Sequence, residues 1–548
     1  MILHSYEYNT LPGFSKLFCD FINHNPFFDE RFPANKIIFE NTSYLKNISE
    51  KYKNRKQIKS IIEKSSHSIE LNNLQKQNLE LLTNENTLAI VTGQQVGFLG
   101  GPLYTLIKIS SAINLAEKLN IKFPEFNFVP VFWIEDNDHD NLEASQSTVY
   151  NTDYDIKHIS CMEGLSKQDR TCVSERKFDK SILNTFDNLS LILPGEKFKQ
   201  EIIEKFKSIY KPGQFWNDAF IELLNSWFGE KGLLFIKASE ARKSGYFSEL
   251  ILKELGNAGQ TQQIIQEVNG KIEQNGYHIQ AKSFEVNVFL HESNQRYKIV
   301  KSKIDNNKYE SGSNIFSIDE IRKKAENEPH LFSPAVLLRP VFQDYILPTA
   351  AYICGPSEIG YSAQIKELYE YFGVSMPAFL PRHSASFVDN RIMRFLEKQK
   401  LEPIYFTRKF NEIEKVLKNI LFDKEIEKVF EKARGQIKDN YEEIMNVTSK
   451  IDATLIRTGA SACHKSLENL DRLEKKINSA QKRVNQLIYT NYKQASNFFF
   501  PEGTMQERMF SAINFMNMVG EEQFIKTIGD LTKEEADKHY FVKMEYKI

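Results

Sequence analysis

The sequence predicts an α/β protein with a parallel-sheet core, followed by a helical coiled-coil domain. Three observations support this fold class. Short apolar runs alternate with helical patterns up to residue 389, polar clusters follow several of these runs, and beyond residue 389 glycine is rare and apolar residues recur at steps of three and four. Short apolar runs are typical of strands buried on both faces. A sustained three-and-four spacing is typical of coiled coils.

Residues 1–85 are predicted to be mainly helical. A strand at 87–91, a glycine-rich loop, a helix at about 103–119 and a strand at 128–134 follow. This order indicates a βαβ unit with a right-handed crossover. Further core strands are predicted at 232–237, 336–338, 350–353 and 378–380. Alternating apolar and polar residues within 277–330 indicate an antiparallel patch.

Two long apolar series are predicted to form a hairpin-like coiled coil. One runs from Ile426 to Leu455 and the other from Cys463 to Leu487, with a junction near Thr458 and Gly459. Two ordinary amphipathic helices are the alternative. We expect the coiled coil to serve shape and assembly, because such seams bury apolar area between helices or chains.

The composition excludes several classes of protein. The 548 residues include 71 Lys and Arg against 72 Asp and Glu, a net charge of −1, so a global basic field for nucleic acid is absent. No apolar run is long enough to span a membrane. Residues 1–14 contain no basic segment followed by an apolar one, so we expect no signal peptide. The five cysteines are scattered, without a C-x-x-C pair. We therefore expect a cytoplasmic protein without disulfides or a cysteine-based zinc site.

The segment TGQQVGFLGGPLYTLIK, residues 92–108, places four glycines between a strand and a helix. Glycine permits positive φ and close backbone approach, and a helix N-terminus favours an anion. The spacing matches neither the Walker A motif nor the dinucleotide fingerprint. A tight turn without a ligand is the alternative. The candidate binding residues are Thr92, Gly93, Gln94, Gln95, Gly100 and Gly101.

The segment FWIEDNDHDNLEA, residues 132–144, follows the next strand and carries four carboxylates and one imidazole within eight residues. That density suits general acid/base work, capture of an ammonium group or a hard cation. A solvated loop that caps a helix is the alternative. Asp138, His139 and Asp140 are the candidate catalytic residues, and Trp133 is a candidate binding residue.

The segment from Arg339 to Gln364 contains the third polar cluster. Gln343 and Asp344 precede a strand, Gly355 follows it, and Glu358 and Tyr361 can share one helix face. All five are candidate binding residues. A capping box is the alternative reading of Glu358. Cys354 lies at the strand end without a nucleophile signature, which argues against a catalytic cysteine.

Arg382, in the segment PRHSASFVD, follows the last predicted core strand. Its guanidinium could clamp a carboxylate or phosphate, or could form a structural ion pair. Four strand ends thus carry polar clusters. Because parallel strands end at one edge of a sheet, we expect the four clusters to meet in one cleft, which favours an enzyme.

These motifs together resemble the bacillithiol-biosynthesis cysteine-adding enzymes, the family of cysteine ligases. The resemblance spans nearly the whole chain and includes FWNDAFIELLNSWFGEKGLLFI, LLRPVFQDYILPTAAYICGPSEIGYSAQ, MPAFLPRHSAS and FPEGTMQER. It implies a Rossmann-like core similar to class I aminoacyl-tRNA synthetases, with two inserted connecting segments and a coiled-coil domain that promotes homodimers.

The implied reaction joins L-cysteine to glucosaminyl malate. By family analogy, ATP or another nucleotide activates the carboxylate, with a cysteinyl adenylate as intermediate. No zinc is expected, because no zinc ligand set is visible. The glycine-rich turn and the motif Asp138–Asp140 match family positions, whereas Asn137 stands where an acidic residue is usual and Ser357 where glycine is usual.

The implied domain boundaries divide the chain into six parts. These are the N-terminal helical part with the first half of the core (1–140), insertion 1 (141–230), core continuation (231–276), insertion 2 (277–333), the last part of the core (334–389) and the helical coiled-coil domain (390–548). Besides the ligase, a non-catalytic nucleotide-binding or scaffold protein assembled through its coiled coil is the second hypothesis. A tRNA-linked synthetase is disfavoured by the neutral charge.

Overall fold

A computed structural model describes residues 2–52, 54–166, 168–195, 197–305, 307–421, 424–452 and 454–545. The chain divides into two compact units. Met1–Met393 and Thr504–Ile548 form the first unit, and Arg394–Gly503 forms the second.

The strands, in chain order, are β1 (Ile2–Glu7), β2 (Thr87–Gln95), β3 (Asn127–Glu135), β4 (Gln146–Tyr150), β5 (Ile156–Ser160), β6 (Leu234–Lys237), β7 (Val288–Glu292), β8 (Gln295–Lys298), β9 (Val300–Lys301), β10 (Lys308–Ser311), β11 (Asn314–Ser317), β12 (Phe332–Pro334), β13 (Thr349–Cys354), β14 (Ala378–Pro381), β15 (Ser384–Val388) and β16 (Lys538–Lys543).

The helices of the first unit up to the central sheet's last strand are α1 (Lys16–Ile22), α2 (Phe27–Arg31), α3 (Ala34–Ile37), α4 (Thr42–Lys51), α5 (Arg55–Ser65), α6 (Asn73–Leu81), α7 (Tyr104–Lys122), α8 (Asn141–Ser145), α9 (Ser181–Ile192), α10 (Lys199–Ile209), α11 (Trp216–Phe228), α12 (Ala238–Lys243), α13 (Ser248–Gly256), α14 (Gln260–Gln274), α15 (Ile318–Asn327), α16 (Arg339–Ile346), α17 (Pro356–Ser362) and α18 (Lys366–Phe372). The remaining helices are α19 (Asn390–Gln399), α20 (Phe410–Leu421), α21 (Lys424–Thr448), α22 (Leu455–Phe499), α23 (Gln506–Met509), α24 (Ile513–Val519) and α25 (Glu521–Leu531).

The central sheet of the first unit has five strands in the order β14-β13-β2-β3-β6, all parallel. It is buried on both faces: Leu88 and Ile90 of β2 pack in one apolar cluster with residues of α7, whereas Ala89 and Val91 belong to the cluster on the opposite face. This arrangement explains the continuous apolar runs in the sequence. The predicted α/β fold class is confirmed.

The strand order reverses between β2 and β13. From β2 the chain proceeds outward through β3 to β6, and it then returns to add β13 and β14 on the other side of β2. Such a switch point leaves a crevice at the carboxyl ends of the strands, where ligands bind in open α/β sheets. The fold therefore places a candidate site beside the ends of β2 and β13.

The strand predictions hold for five core strands and fail for one. Residues 336–338 form a turn instead of a strand. Val336 is 47% exposed, and Pro340 occupies the first turn of α16, where its fixed φ favours a helix start. The antiparallel patch predicted within 277–330 is confirmed, since β7 pairs antiparallel with both β8 and β12.

A further sheet joins the two ends of the first unit. β16 lies between β1, its antiparallel partner, and β15, its parallel partner. Neither β1 nor β16 was predicted. The prediction assigned the segment from Thr504 onward to the helical domain. Its described residues, 504–545, instead lie in the first unit, because β16 is hydrogen-bonded to β1 and β15.

His539 on β16 is expected to make the stability of the first unit dependent on pH. Its buried ring nitrogens bind the hydroxyls of Ser384 at 2.7 Å and Ser386 at 3.1 Å, and burial lowers its pKa to about 4. Between pH 6.5 and 4 the unfolded chain binds a proton that the folded chain does not, so stability falls as pH falls through this window. The contribution is roughly 3 kcal/mol. Urea unfolding at pH 7 and pH 4 should show a smaller loss for His539→Gln than for the unsubstituted chain, and equal losses would contradict this account.

The second unit contains the predicted helical hairpin. α21 and α22 run antiparallel, because Arg434 pairs with Asp471 while Tyr441, further along α21, contacts Ser466, earlier in α22. The junction differs from the prediction: α21 ends at Thr448, α22 begins at Leu455, and Gly459 lies inside α22. Within the described part of the chain, no helix is both long and apolar enough to cross a membrane.

Candidate functional site

A cavity of about 450 Å³ opens at the carboxyl edge of the central sheet, beside the switch between β13 and β2. Ten of the predicted site residues line it. They are Gly93, Gln94, Gln95, Trp133, Asp138, His139, Gly355, Glu358, Tyr361 and Arg382. The predicted convergence of four distant motifs is therefore confirmed, while the roles of these residues stay predictions.

Three predicted residues of the glycine-rich turn lie outside this cavity. The buried hydroxyl of Thr92 donates to the carbonyl of Ile353 at 3.0 Å and so joins β2 to β13. Gly100 has a φ of 84°, and a Cβ there would lie 3.0 Å from the Trp227 ring. Gly101 lines a smaller neighbouring cavity of about 180 Å³. These residues shape the turn, and they do not face the main cavity.

Three further predicted residues also lie outside it. Asp140 accepts a hydrogen bond from the backbone N–H of Glu143 at 3.2 Å and so caps α8. For Asp140, the structure thus favours the helix-capping alternative to a catalytic role. Gln343 accepts from Arg339 at 2.9 Å. Asp344 is buried and accepts from Tyr369 at 2.5 Å, and burial raises its pKa to about 6. Gln343 thus acts on the cavity only through Arg339.

Asp138 is fixed at the cavity wall by three neighbours. The side-chain amide of Gln95 donates to Oδ2 at 2.5 Å, and the backbone N–H of His139 donates to Oδ1 at 2.7 Å. The guanidinium of Arg296 lies 3.5 Å from Oδ1. Charge-assisted hydrogen bonds of this kind hold a carboxylate in a fixed orientation.

His139 lies between Asp138 and an arginine. Its Nδ1 is 3.6 Å from the Asp138 carboxylate, and its Nε2 is 3.5 Å from Arg170. Burial lowers the pKa of His139. The charge of Asp138 raises this pKa, whereas the charges of Arg296 and Arg170 lower it further. The imidazole is therefore neutral at pH 7 and able to accept a proton.

Lys108 and Glu358 form an ion pair at the floor of the cavity. The ammonium of Lys108 is 2.5 Å from the Glu358 carboxylate and donates to the carbonyl of Gly93 at 2.8 Å. Burial lowers the pKa of Lys108, and Glu358 opposes this shift. Glu358 also accepts from the backbone N–H of Gly355 at 2.6 Å. The capping interaction is thus present, and the same carboxylate neutralises the lysine.

Arg339 is half-buried among polar groups on the β13 side of the cavity. Its guanidinium donates to the hydroxyl of Tyr361 at 3.0 Å and lies over the ring of Tyr352, 5.5 Å from the centroid. Glu135 faces the same region. Burial raises the pKa of Glu135, and the charges of Arg296 and Arg339 lower it only in part. The wall therefore alternates cationic and acidic groups.

Arg382 forms a two-pronged ion pair with Glu507. Its two terminal nitrogens lie 2.6 Å and 2.9 Å from the carboxylate oxygens, and both side chains are at most 2% exposed. Burial and Glu507 act oppositely on the pKa of Arg382, and the raised value keeps it charged. Of the two readings of Arg382, the structural ion pair is the one that the geometry favours.

The buried thiol of Cys354 is unsuited to nucleophilic chemistry, because burial raises its pKa well above its ordinary value. Among the residues that the structure describes, no group of three or more His, Cys, Asp or Glu side chains is placed to hold a metal ion.

Two family models together cover almost the whole chain. The model described as "Bacillithiol biosynthesis BshC, N-terminal Rossmann-like domain" matches residues 1–383, and the one described as "Bacillithiol biosynthesis BshC, C-terminal coiled-coil domain" matches residues 385–544. The chain belongs to the BshC family. The resemblance inferred from the sequence motifs is thereby confirmed.

Curated BshC relatives are similar over most of their length. A protein named "Putative cysteine ligase BshC" from Chloroherpeton thalassium is 30% identical over 483 residues, covering 85% of this chain and 84% of the relative. The protein of the same name from Chlorobaculum tepidum is 29% identical over 544 residues, covering 95% and 94%. A solved structure described as a "putative arginyl t-RNA synthetase" from Campylobacter jejuni covers 87% of this chain and 99% of its own, at 12% identity and a TM-score of 0.23.

Sequence reasoning missed several groups that line the cavity of this BshC family member. They are Tyr104, Lys108, Glu135, Arg296, Arg339, Tyr352 and Arg508. Lys108 had a signal in the sequence, because it lies on α7, the helix that directly follows the glycine-rich turn. Arg296 had none, because it reaches the cavity from an inserted hairpin. Arg508 ends the motif FPEGTMQER, and nothing in that motif indicates that the segment after the second unit reaches the cavity.

Proposed function

We propose that this chain joins L-cysteine to glucosaminyl malate through an amide bond in bacillithiol biosynthesis. Membership of the BshC family supports the pathway. The observation that carries the chemistry is the Asp138–His139 pair, because a neutral imidazole beside a fixed carboxylate lines the cavity at the switch point. An amine nucleophile needs such a base, since it must lose a proton as it attacks.

In the proposed step, the amino nitrogen of the sugar attacks the activated carboxyl carbon of cysteine. The new C–N bond forms, the bond to the leaving group breaks with its electron pair, and the proton of the amine moves to the imidazole of His139. Asp138 lies 3.6 Å from Nδ1 and stabilises the imidazolium that forms. Gln95 holds Asp138 in place during this transfer.

ATP or another nucleotide would supply the activation of the cysteine carboxylate. Among the described lining residues, Lys108, Arg296 and Arg339 are the cationic groups that would face its phosphates, although each is also held by a protein partner. Gln94 and Tyr104, whose side chains line the cavity where β2 is followed by α7, are the groups that would hold its phosphates.

The function is tested by incubating the purified protein with cysteine, glucosaminyl malate and ATP, and measuring the amide product by mass spectrometry. We expect product formation that depends on all three compounds. A strain that lacks the protein should accumulate glucosaminyl malate. Ligand binding without turnover, together with an unchanged thiol pool in that strain, would favour the scaffold hypothesis instead.

Replacing His139 with asparagine is expected to lower kcat by roughly 100-fold or more, the usual contribution of a general base. Because the pKa of His139 is lowered, activity of the unsubstituted enzyme should rise with pH below neutrality and be constant around pH 7. Steady-state rates from pH 5 to 8 check both expectations. His464→Asn, at a 74% exposed side chain, is the control, and a His139→Asn variant with normal rates would remove the imidazole from the mechanism.

We further propose that the second unit pairs with a second copy and that the protein acts in the cytoplasm without nucleic acid or membrane partners. Apolar side chains along the hairpin are exposed, including Val429 at 60% and Val447 at 58% on α21 and Val484 at 63% on α22. A coiled-coil seam would cover such positions. The molar mass measured by light scattering should be twice that of one chain, and a monomer would contradict the pairing.

A further inference from the structure

Arg508 differs from the other cationic residues of the main cavity, because its guanidinium has no hydrogen-bond or ion-pair partner among the residues that the structure describes. Its side chain is exposed and lines both the main cavity and the smaller cavity of about 180 Å³ on the far side of Gln94 and Gln95. Its charge also acts on the phenol of Tyr104. It therefore stands where the two cavities adjoin.

The remaining cations of the main cavity are neutralised or held by protein groups. Lys108 is paired with Glu358, Arg296 lies beside Asp138 and donates to the carbonyl of Pro334, Arg339 donates to Gln343 and Tyr361, and Arg382 is paired with Glu507. An anion that enters the cavity thus meets one cation whose hydrogen-bonding capacity is unused, and that cation is Arg508.

The backbone that carries Arg508 is held rigidly. Glu507, the preceding residue, is 1% exposed and accepts hydrogen bonds from both terminal nitrogens of Arg382, from the hydroxyl of Ser384 and from the backbone N–H of Ala385. The backbone N–H of Arg508 donates to the carbonyl of Met505 at 2.9 Å. The fixed backbone holds the base of the Arg508 side chain in place, so the exposed guanidinium stays within reach of the junction between the two cavities.

The acidic neighbour of this position does not neutralise it. Glu143 lines the smaller cavity with Arg508, and no ion pair joins the two. Burial raises the pKa of Glu143, and the charges of Asp140 and Asp138 raise it further. The excess of positive charge at the junction of the cavities therefore resides on Arg508.

We propose that Arg508 is a specificity-determining residue that binds a carboxylate of the amine substrate. This inference rests on the proposed function, in which that substrate carries the two carboxylates of its malate group. A guanidinium presents a planar fork that matches a carboxylate with two parallel hydrogen bonds. An amino sugar without carboxylates cannot form these two hydrogen bonds and so would bind less well.

The test compares the unsubstituted protein with Arg508→Gln and Arg508→Lys. Calorimetric titration with glucosaminyl malate should give a Kd at least tenfold higher for Arg508→Gln, with partial recovery in Arg508→Lys, which keeps the charge and loses the fork. In turnover, the KM for glucosaminyl malate should rise at least tenfold, while the KM values for cysteine and ATP change less than twofold. The methyl glycoside of glucosamine, which has no carboxylate, should bind equally to the unsubstituted protein and to Arg508→Gln.

Arg322→Gln, at an exposed arginine on α15, is the matched control and should change none of these constants. An unchanged Kd for glucosaminyl malate in Arg508→Gln would overturn the inference, as would failure of the unsubstituted protein to bind this compound. A rise confined to the KM for ATP would assign Arg508 to a phosphate and would also overturn it. If the compound binds but no amide forms, the proposed function fails, and the titrations still decide on Arg508.

Discussion

Replacing Glu507 with glutamine is expected to lower the free energy of unfolding by about 3–5 kcal/mol, the usual cost of removing one partner from a buried ion pair. The substitution leaves Arg382 charged in a site where both side chains are at most 2% exposed. It also weakens the acceptor of the hydrogen bonds from Ser384 and Ala385. Equilibrium urea unfolding at pH 7 measures the loss.

Two further variants make this expectation specific. Glu117→Gln, at an exposed position on α7, should change the free energy of unfolding by less than about 0.5 kcal/mol. Replacing Arg382 with methionine and Glu507 with leucine together should cost less than Glu507→Gln alone, because no unpaired charge is then buried. A Glu507→Gln variant as stable as the unsubstituted protein would show that the pair is not a structural link.

Replacing Glu358 with glutamine is expected to lower kcat/KM by roughly 100-fold, the loss that misplacement of a site by about 1 Å produces. The carboxylate holds the Lys108 ammonium at 2.5 Å and the backbone N–H of Gly355 at 2.6 Å. Without it, the largest influence that opposes burial is lost, and the pKa of Lys108 falls further. In the variant, Lys108 is no longer held in place, and it loses its proton at a lower pH than in the unsubstituted enzyme. As pH rises, the residual activity of the variant should therefore begin to decline at a lower pH.

Rates of amide formation between pH 6 and 9 check this expectation. Glu370→Gln on α18 removes a surface partner of Lys366 and is 62% exposed, so it should leave the rates unchanged. Lys108→Met should be as impaired as Glu358→Gln, and the double variant no worse than either, since the two side chains act as a unit. Full activity in Glu358→Gln would limit this carboxylate to its capping role.

The sequence was most informative where function and folding impose the same local pattern. Strands buried on both faces read as continuous apolar runs, and polar residues directly after them, such as Gln95 and Asp138, had to meet because parallel strands end together. Residues 336–338 show the limit of this signal. Two buried leucines resemble a strand, and only the following Arg-Pro dipeptide indicates that a helix begins there.

Long-range partners could not be predicted, because their signal lies in another part of the chain. Nothing near Arg382 reveals that Glu507 neutralises it, and nothing near Asp138 reveals Arg296. β1 and β16 are short and mixed in character, and they become strands only by pairing with each other and with β15. Tertiary pairing of this kind overrides local propensity.

The sheet that joins β1 to β16 determines when the site can exist during synthesis. The ribosome produces residues 394–503 before it produces Arg508 and β16. A nascent chain that already contains all five strands of the central sheet therefore still lacks Arg508, which lines the cavity. It also lacks β16, the middle strand of the sheet formed by β1, β16 and β15. In the first unit, β1 cannot pair with β16 until the second unit has been synthesised. The cavity therefore cannot acquire its full set of lining residues until the segment after residue 503 has been synthesised.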